Sequence, residues 1–306
     1  MTTNPETRTA ATTASPAPVT SAPVTSAPLR YTAFADTPSG GNPAGVVLDA
    51  RGLPESRMLA IAADLGYSET AFLTPAADGA ERHYRVRYFS PRAEVDFCGH
   101  ATVAAAVALA ERIGAGPLVF DTPAGEIRVD TAASEGAFTA TLTSVPTESR
   151  PAGTEELDAA LAALRLTPSD LDPALPPRVA FGGVHHLVLP LAARSTLAAL
   201  DYDFDALERL MTRQGWTTVQ IVHREAPDVF HARDPFPVGG VVEDPATGAA
   251  AAALGGYLRD LSELPPTGTF TIHQGEDMGR PSHLRVHVAP TAPSRSHVTG
   301  RAIPLP

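Results

Sequence analysis

Two stretches of this chain are apolar without interruption, and most of what surrounds them alternates. From Val103 to Ala110 the sequence VAAAVALA contains no polar residue. It follows the polar approach FSPRAEVDFCGHAT, in which a Cys-Gly-His turn opens a helix carrying Gly99, His100 and Thr102 in its first turn. A helix that is apolar all round yet built mostly of alanine is thin, which predicts that other elements enclose it on every side. The same order recurs from Phe236 as FPVGGVVEDPATGAAAAALGGYLRDL. Aligning Gly99 with Gly248 sets HATVAAAVALAER against AAAAALGGYLRDL, and the repetition predicts two similar halves. At each helix start, unpartnered N–H groups and the helix dipole make a place for a carboxylate or phosphate.

Elsewhere the pattern has period two. Strands are predicted at Leu29 to Phe34 and Gly45 to Leu48, with a loop at Gly40, Gly41, Asn42 and Pro43 between them. Asn42 either belongs to that turn or points into a site, and the residues alone favour the turn. Pro54 to Leu65 reads as an amphipathic helix with Met58, Ile61, Ala62 and Leu65 on one side. The strand in GYSETAFLTP places Glu69 between Tyr67 and Phe72, either as a buried carboxyl with a raised pKa or on the wet face of an edge strand. Tyr84 to Phe89, Leu118 to Phe120, Glu126 to Val129 and Ala137 to Leu142 continue as strands. A Pro-rich bridge at Ser144 to Gly153 then predicts a domain boundary.

Beyond it come a helix at Glu155 to Arg165, a strand pair around FGGVHHLVLPL with His185 and His186 mid-strand on opposite faces, and a helix near Phe204 to Thr212. Strands at Thr217 to Val222 and Asp228 to Ala232 precede the second motif, and TFTIHQGEDMGRPSHLRVHVA adds two more. Short strands around two solitary buried helices predict an α+β fold over a doubly wound sheet. The domains expected are a low-complexity tail over residues 1–28, containing PVTSAPVTSAP, and halves over 29–145 and 146–306, with the last strands able to cross back to the first half.

Charge and composition narrow the chemistry. In 306 residues, 34 acidic against 23 basic side chains leave a net charge of −11, which argues against nucleic acid or an anionic membrane as partner. All the basic residues are arginine. Without lysine there is no internal aldimine with pyridoxal phosphate and no P-loop lysine. The single cysteine, Cys98, permits no intramolecular disulfide, and neither a signal-like segment nor a spanning apolar run is present, so a cytoplasmic location is expected. No HExxH, cysteine pair or dinucleotide fingerprint occurs, and His283 and His287 on one strand face do not converge, so neither metal nor cofactor is expected. There is no G-x-S-x-G elbow. A Cys98–His100 thiol pair is conceivable at a helix N-terminus that lowers a thiol pKa, but residues two apart on a tightening turn rarely point at each other. What remains is acid–base chemistry by Glu69, His100 and Asp244 around a small anionic substrate held between two helix starts.

The segments GNPAGVVLD, YSETAFL, YFSPRAEVDFCGHATVAAA, VVEDPATGAA and HQGEDMGRPS, in this order from Tyr31 to Ala302, resemble the successive motifs of the PhzF-type phenazine-biosynthesis isomerases. The resemblance implies a diaminopimelate epimerase-like fold, in which two halves each wrap a curved, mostly antiparallel or mixed sheet around a central helix, with the site in the cleft between. It also implies a homodimer. By position, Glu69 resembles the family's proton-transferring glutamate, His100 its histidine and Asp244 its aspartate, while Asn42, Ser68, Gly99 and Gly248 fall where the family lines its pocket. Two departures stand out. Ala249 occupies a place where the phenazine enzyme has a serine, and Thr247 matches Cys98 in the second copy, so two-thiol racemisation is not expected. The function implied is a cofactor-independent proton or double-bond shift in a small unsaturated or cyclic acid. A single-base epimerase and a non-catalytic binding protein that keeps the fold are the alternatives.

Overall fold

The computed structural model describes residues 27–76, 80–134 and 136–306, so the tail expected over residues 1–28 lies outside the described residues except for Ala27 and Pro28. The first elements are β1 (Leu29–Ala33), β2 (Asn42–Val47), α1 (Glu55–Leu65), β3 (Glu69–Pro75), β4 (His83–Phe89), β5 (Glu94–Val95), α2 (Gly99–Ile113), β6 (Gly116–Thr122), β7 (Gly125–Ser134) and β8 (Ala137–Pro146). There follow β9 (Glu148–Pro151), α3 (Thr154–Leu164), β10 (Arg178–Phe181), β11 (His185–Pro190), α4 (Arg194–Ala198), α5 (Phe204–Gln214) and β12 (Trp216–Ala226). The chain ends with β13 (Val229–Phe236), β14 (Val241–Asp244), α6 (Gly248–Asp260), β15 (Thr269–Gln274), β16 (Ser282–Val288) and β17 (Arg295–Pro304).

Strand pairing makes this a mixed α/β fold with a closed barrel. Eight strands join in the order β1, β2, β3, β4, β6, β7, β8 and β17, and β17 returns to β1. An eight-stranded barrel ordinarily has room for side chains alone. A helix threaded through it can therefore carry little beyond methyl groups. That is why α2, which touches β1, β2, β3, β7, β8 and β17, is built as it is. Ala101, Ala104, Ala105, Ala106, Ala108 and Ala110 are all 0% exposed.

A second run of strands continues through β17 into β16, β15, β13, β12, β11, β10 and β9. Helix α6 packs against both ends of it, touching β9 and β10 as well as β16 and β17. Bulk is excluded here too. A Cβ on Gly255 would sit 2.5 Å from Val288 Cγ2, and one on Gly256 would sit 2.6 Å from Thr147 Cβ. The other face of β11 and β12 buries Leu187, Leu189, Val219 and Ile221 beneath Leu164 of α3 and Leu207, Leu210 and Met211 of α5.

Across the Pro-rich bridge at Ser144 to Gly153, β8 runs to Pro146 and β9 pairs antiparallel with β10. Two expectations need correction. Asn42 does not belong to a turn: it opens β2, opposite Ala33. His185 begins its strand and is exposed, whereas His186 is fully buried with Nδ1 2.8 Å from Thr218 Oγ1. Burial draws the His186 pKa down to about 3. The long β17 carries Arg, His and Thr on its outer face. No helix among the described residues is long and apolar enough to cross a membrane.

If the barrel is closed on α2, Ala105→Leu has nowhere to place its extra atoms. The variant is expected to lose about 1–3 kcal/mol in urea unfolding. A stability equal to that of the wild type would contradict the enclosure.

Candidate active site

Helices α2 and α6 begin nose to nose. Their N-caps, Cys98 (φ −145°, ψ 114°) and Thr247 (φ −115°, ψ 91°), are both extended, and neither caps its helix with a side-chain hydrogen bond. A Cβ built on Gly99 would lie 3.9 Å from Gly248 Cα, and one on Gly248 would lie 3.8 Å from the Phe34 ring. Neither first turn contains an acidic residue. The two positive dipole ends thus converge, each able to contribute about 0.3–1 kcal/mol, or ~2 when partly buried, to holding an anion.

Beside these helix starts the strands bring four polar side chains together. Glu69 opens β3, which lies inside the barrel wall between β2 and β4, so it does not sit on an edge strand. Its Oε2 lies 3.4 Å from Nε2 of His100, the second residue of α2. Ser68, just before β3, places Oγ 3.2 Å from the same nitrogen. Asn42, at the head of β2, donates from Nδ2 to Asp244 Oδ1 at 2.7 Å and lies 3.1 Å from His100 Nδ1. With Asp244 ionised, the flipped amide would set its oxygen against a carboxylate, so the amide N–H faces His100 and Nδ1 of the neutral imidazole accepts. The imidazole proton is therefore on Nε2, directed at Glu69 and Ser68.

Asp244 ends β14, and its Oδ2 accepts from Thr247 Oγ1 at 2.6 Å. Desolvation raises its pKa from an ordinary 3.8 to about 6, and the charge of Glu69 adds to the rise. His100 and the hydrogen bonds from Thr247 and Asn42 pull the other way. Gln274, at the end of β15, holds this corner in place: Nε2 donates to the Asp244 carbonyl at 2.8 Å, and Oε1 accepts from the Thr247 N–H at 3.1 Å. Across the β13–β14 pair from Asp244 stands Asp234, wholly buried, with Oδ1 accepting from Thr218 at 2.9 Å. Its carboxyl is pushed well above the usual range, first by desolvation.

The expectation about Cys98 fails. Its extended backbone takes it off helical spacing, and Sγ lies 3.4 Å from His100 Nδ1 and 3.5 Å from Glu69 Oε2. Nor does the helix end acidify the thiol. Desolvation, then the nearby Glu69 charge, push it well above its usual value, and the Ala101 N–H close by offsets this only in part. Among the described residues, Glu69, Cys98 and His100 form the one group whose ligand atoms, all within 4.8 Å of one another, could hold a metal. Binding through His100 Nε2 would have to displace the proton that Asn42 fixes there.

Of the positions read from the sequence, Glu69, His100, Asp244, Asn42 and Ser68 are joined by direct contacts, and Gly99 and Gly248 form the two helix tips. Ala249 is the second residue of α6 and has no side-chain polar group to offer. Gln274, Thr247 and Asp234 were not assigned to the site. The Gln within HQGEDMGRPS was the available signal for the first.

Comparison with known proteins identifies the family and the fold. The PhzC-PhzF family, described as phenazine biosynthesis-like protein, matches residues 31–305. The uncharacterized isomerase YddE of Escherichia coli K12 is 35% identical over 284 residues, covering 89% of this chain and 94% of that protein. The crystal structure of a PhzF-family phenazine biosynthesis protein from Bacillus anthracis superposes with a TM-score of 0.81 at 26% identity, over 91% of this chain and 96% of that one. A predicted epimerase from Pseudomonas aeruginosa gives a TM-score of 0.78 at 28% identity, over 91% and 97%.

Because Asp244 holds its proton up to about pH 6 in the folded chain, the native state binds more protons than the unfolded one between pH 3.8 and about 6. Its contribution to stability therefore falls as pH rises through that interval and stays at its lowest above it. Asp244→Asn is expected to melt with wild type near pH 4 and above it at pH 7.5. An equal difference at both pH values, read by thermal unfolding, would contradict the assignment.

Proposed function

The chain belongs to the phenazine biosynthesis-like family, and we propose that it is a cofactor-independent isomerase that shifts a proton, and with it a double bond, along a small unsaturated or cyclic amino or carboxylic acid. The observation that carries this reading is the Glu69 carboxylate beside His100 Nε2 at 3.4 Å, next to two uncapped helix starts. In this reading the substrate carboxylate lies against the first turns of α2 and α6. Glu69 removes a proton from one carbon and returns it at another on the same face, so that a single base serves both half-reactions. His100 Nε2–H steadies the carboxylate between them. Asp244, titrating near 6, exchanges a proton with the substrate's heteroatom as charge develops there. Its bond from Asn42 ties that step to the His100 tautomer.

The relatives' name of isomerase supports the class of reaction. The matched helix starts at Gly99 and Gly248 support a division into two similar halves near residues 145 and 146. Ala249 removes one hydroxyl from the pocket wall, which favours a substrate with fewer polar substituents on that side. Thr247 opposite Cys98 leaves the cleft without a second thiol, so a reaction that changes configuration would also have to use Glu69 as its one base.

Incubation with a candidate acid in deuterated water is expected to introduce deuterium at carbon in the wild type. Glu69→Gln should reduce that rate by roughly 10²- to 10⁴-fold. An active Glu69→Gln protein would contradict the proposal, and the product's double-bond position or chirality distinguishes isomerase from epimerase.

A further inference from the structure

Arg280 stands in the turn between β15 and β16, far along the chain from Asn42, yet the two turns interlock. Its Nε donates to the Gly41 carbonyl at 2.8 Å and its Nη2 to the Gly40 carbonyl at 2.9 Å. The Gly41 N–H returns a bond to the Pro281 carbonyl at 3.0 Å. Nothing larger than glycine fits at the junction. A Cβ on Gly40 would lie 2.4 Å from the Pro281 oxygen, and one on Gly41 would lie 2.4 Å from the Ala33 oxygen, where φ is also +69°. The residue after this clamp is Asn42.

The guanidinium is used here without a counter-charge. It is half-buried, it has no acidic partner among the described residues, and desolvation draws its pKa below the usual arginine value. What offsets that cost is the pair of carbonyls, which suit a planar fork and not a point charge. We infer that Arg280 is a positioning residue: by gripping Gly40 and Gly41 it holds the Asn42 amide against both His100 and Asp244, and so fixes which nitrogen of His100 carries the proton. The inference rests on the reading of His100 and Asp244 as working groups, but its consequence for the imidazole does not depend on any substrate.

The test is the tautomer of His100, read from its ring nitrogens by long-range proton–nitrogen correlation in labelled protein and assigned by the signals lost in His100→Gln. The wild type should show one tautomer, with the proton on Nε2. Arg280→Met and Arg280→Lys, the second keeping the charge but not the fork, should both move the nitrogens toward averaged tautomers, as Asn42→Ala should. The Arg280→Met, Asn42→Ala double variant should go no further than Asn42→Ala. Where turnover is measurable, kcat should fall about 10²-fold in Arg280→Met, the scale of a misplaced reacting group, with KM little changed. A folded Arg280→Met or Arg280→Lys protein with the wild-type tautomer overturns the inference, as does a double variant with additive effects. If no Glu69-dependent exchange is found but the tautomer responds, the proposed reaction fails and Arg280's role stands.

Discussion

Two helix N-termini cannot face each other at van der Waals distance without cost. The partial positive charges at the starts of α2 and α6 repel, and each first turn presents N–H groups that its own N-cap does not satisfy by a side-chain hydrogen bond. The arrangement needs negative charge nearby. Glu69 and Asp244 supply part of it, and Asp244 does so only partly, since desolvation keeps it near its protonation midpoint close to pH 6. A bound carboxylate would complete the compensation. Two donor-rich helix ends beside Glu69 and Asp244 suit the anionic substrate proposed above.

The rest of the fold serves to hold those ends in place. An alanine helix inside a closed barrel cannot slide or tilt without driving side chains into strands, so the position of Gly99 is set by the whole wall around it. Gly255 and Gly256 perform the same service for α6, letting it lie directly on β16 and on Thr147. At its far end, Arg259 donates to the Thr147 carbonyl at 2.6 Å and to Ser294 Oγ at 2.9 Å, fastening the start of β9 and the approach to β17 to the helix. Because β17 pairs with β1, β8 and β16, one strand ties both helix surroundings together.

The sequence made the helices and the polar residues at their starts legible because those signals are local. An apolar run with no polar face can only be enclosed, and a Glu, a His and an Asp beside Gly-rich helix starts stand out against a chain with no lysine. What could not be read depends on distant pairing. Asn42 looks like a turn residue until Gly40 and Gly41 are seen to be gripped by Arg280. Gln274 is marked only by its place in HQGEDMGRPS, which does not say that it will brace Asp244 and Thr247. The contact of Cys98 with His100 arises from an extended N-cap, which spacing along a helix does not predict. Strand β9 hides in a Pro-rich segment whose ladder partner lies beyond α3.

The most direct test of the central claim is to titrate the protein with a small aromatic carboxylate such as anthranilate and follow backbone amide signals. If the facing helix ends form the anion site, the amides of Gly99, His100, Gly248 and Ala249 should shift together along one saturable curve. Saturable shifts confined to other parts of the molecule, with these four amides unmoved, would contradict the account.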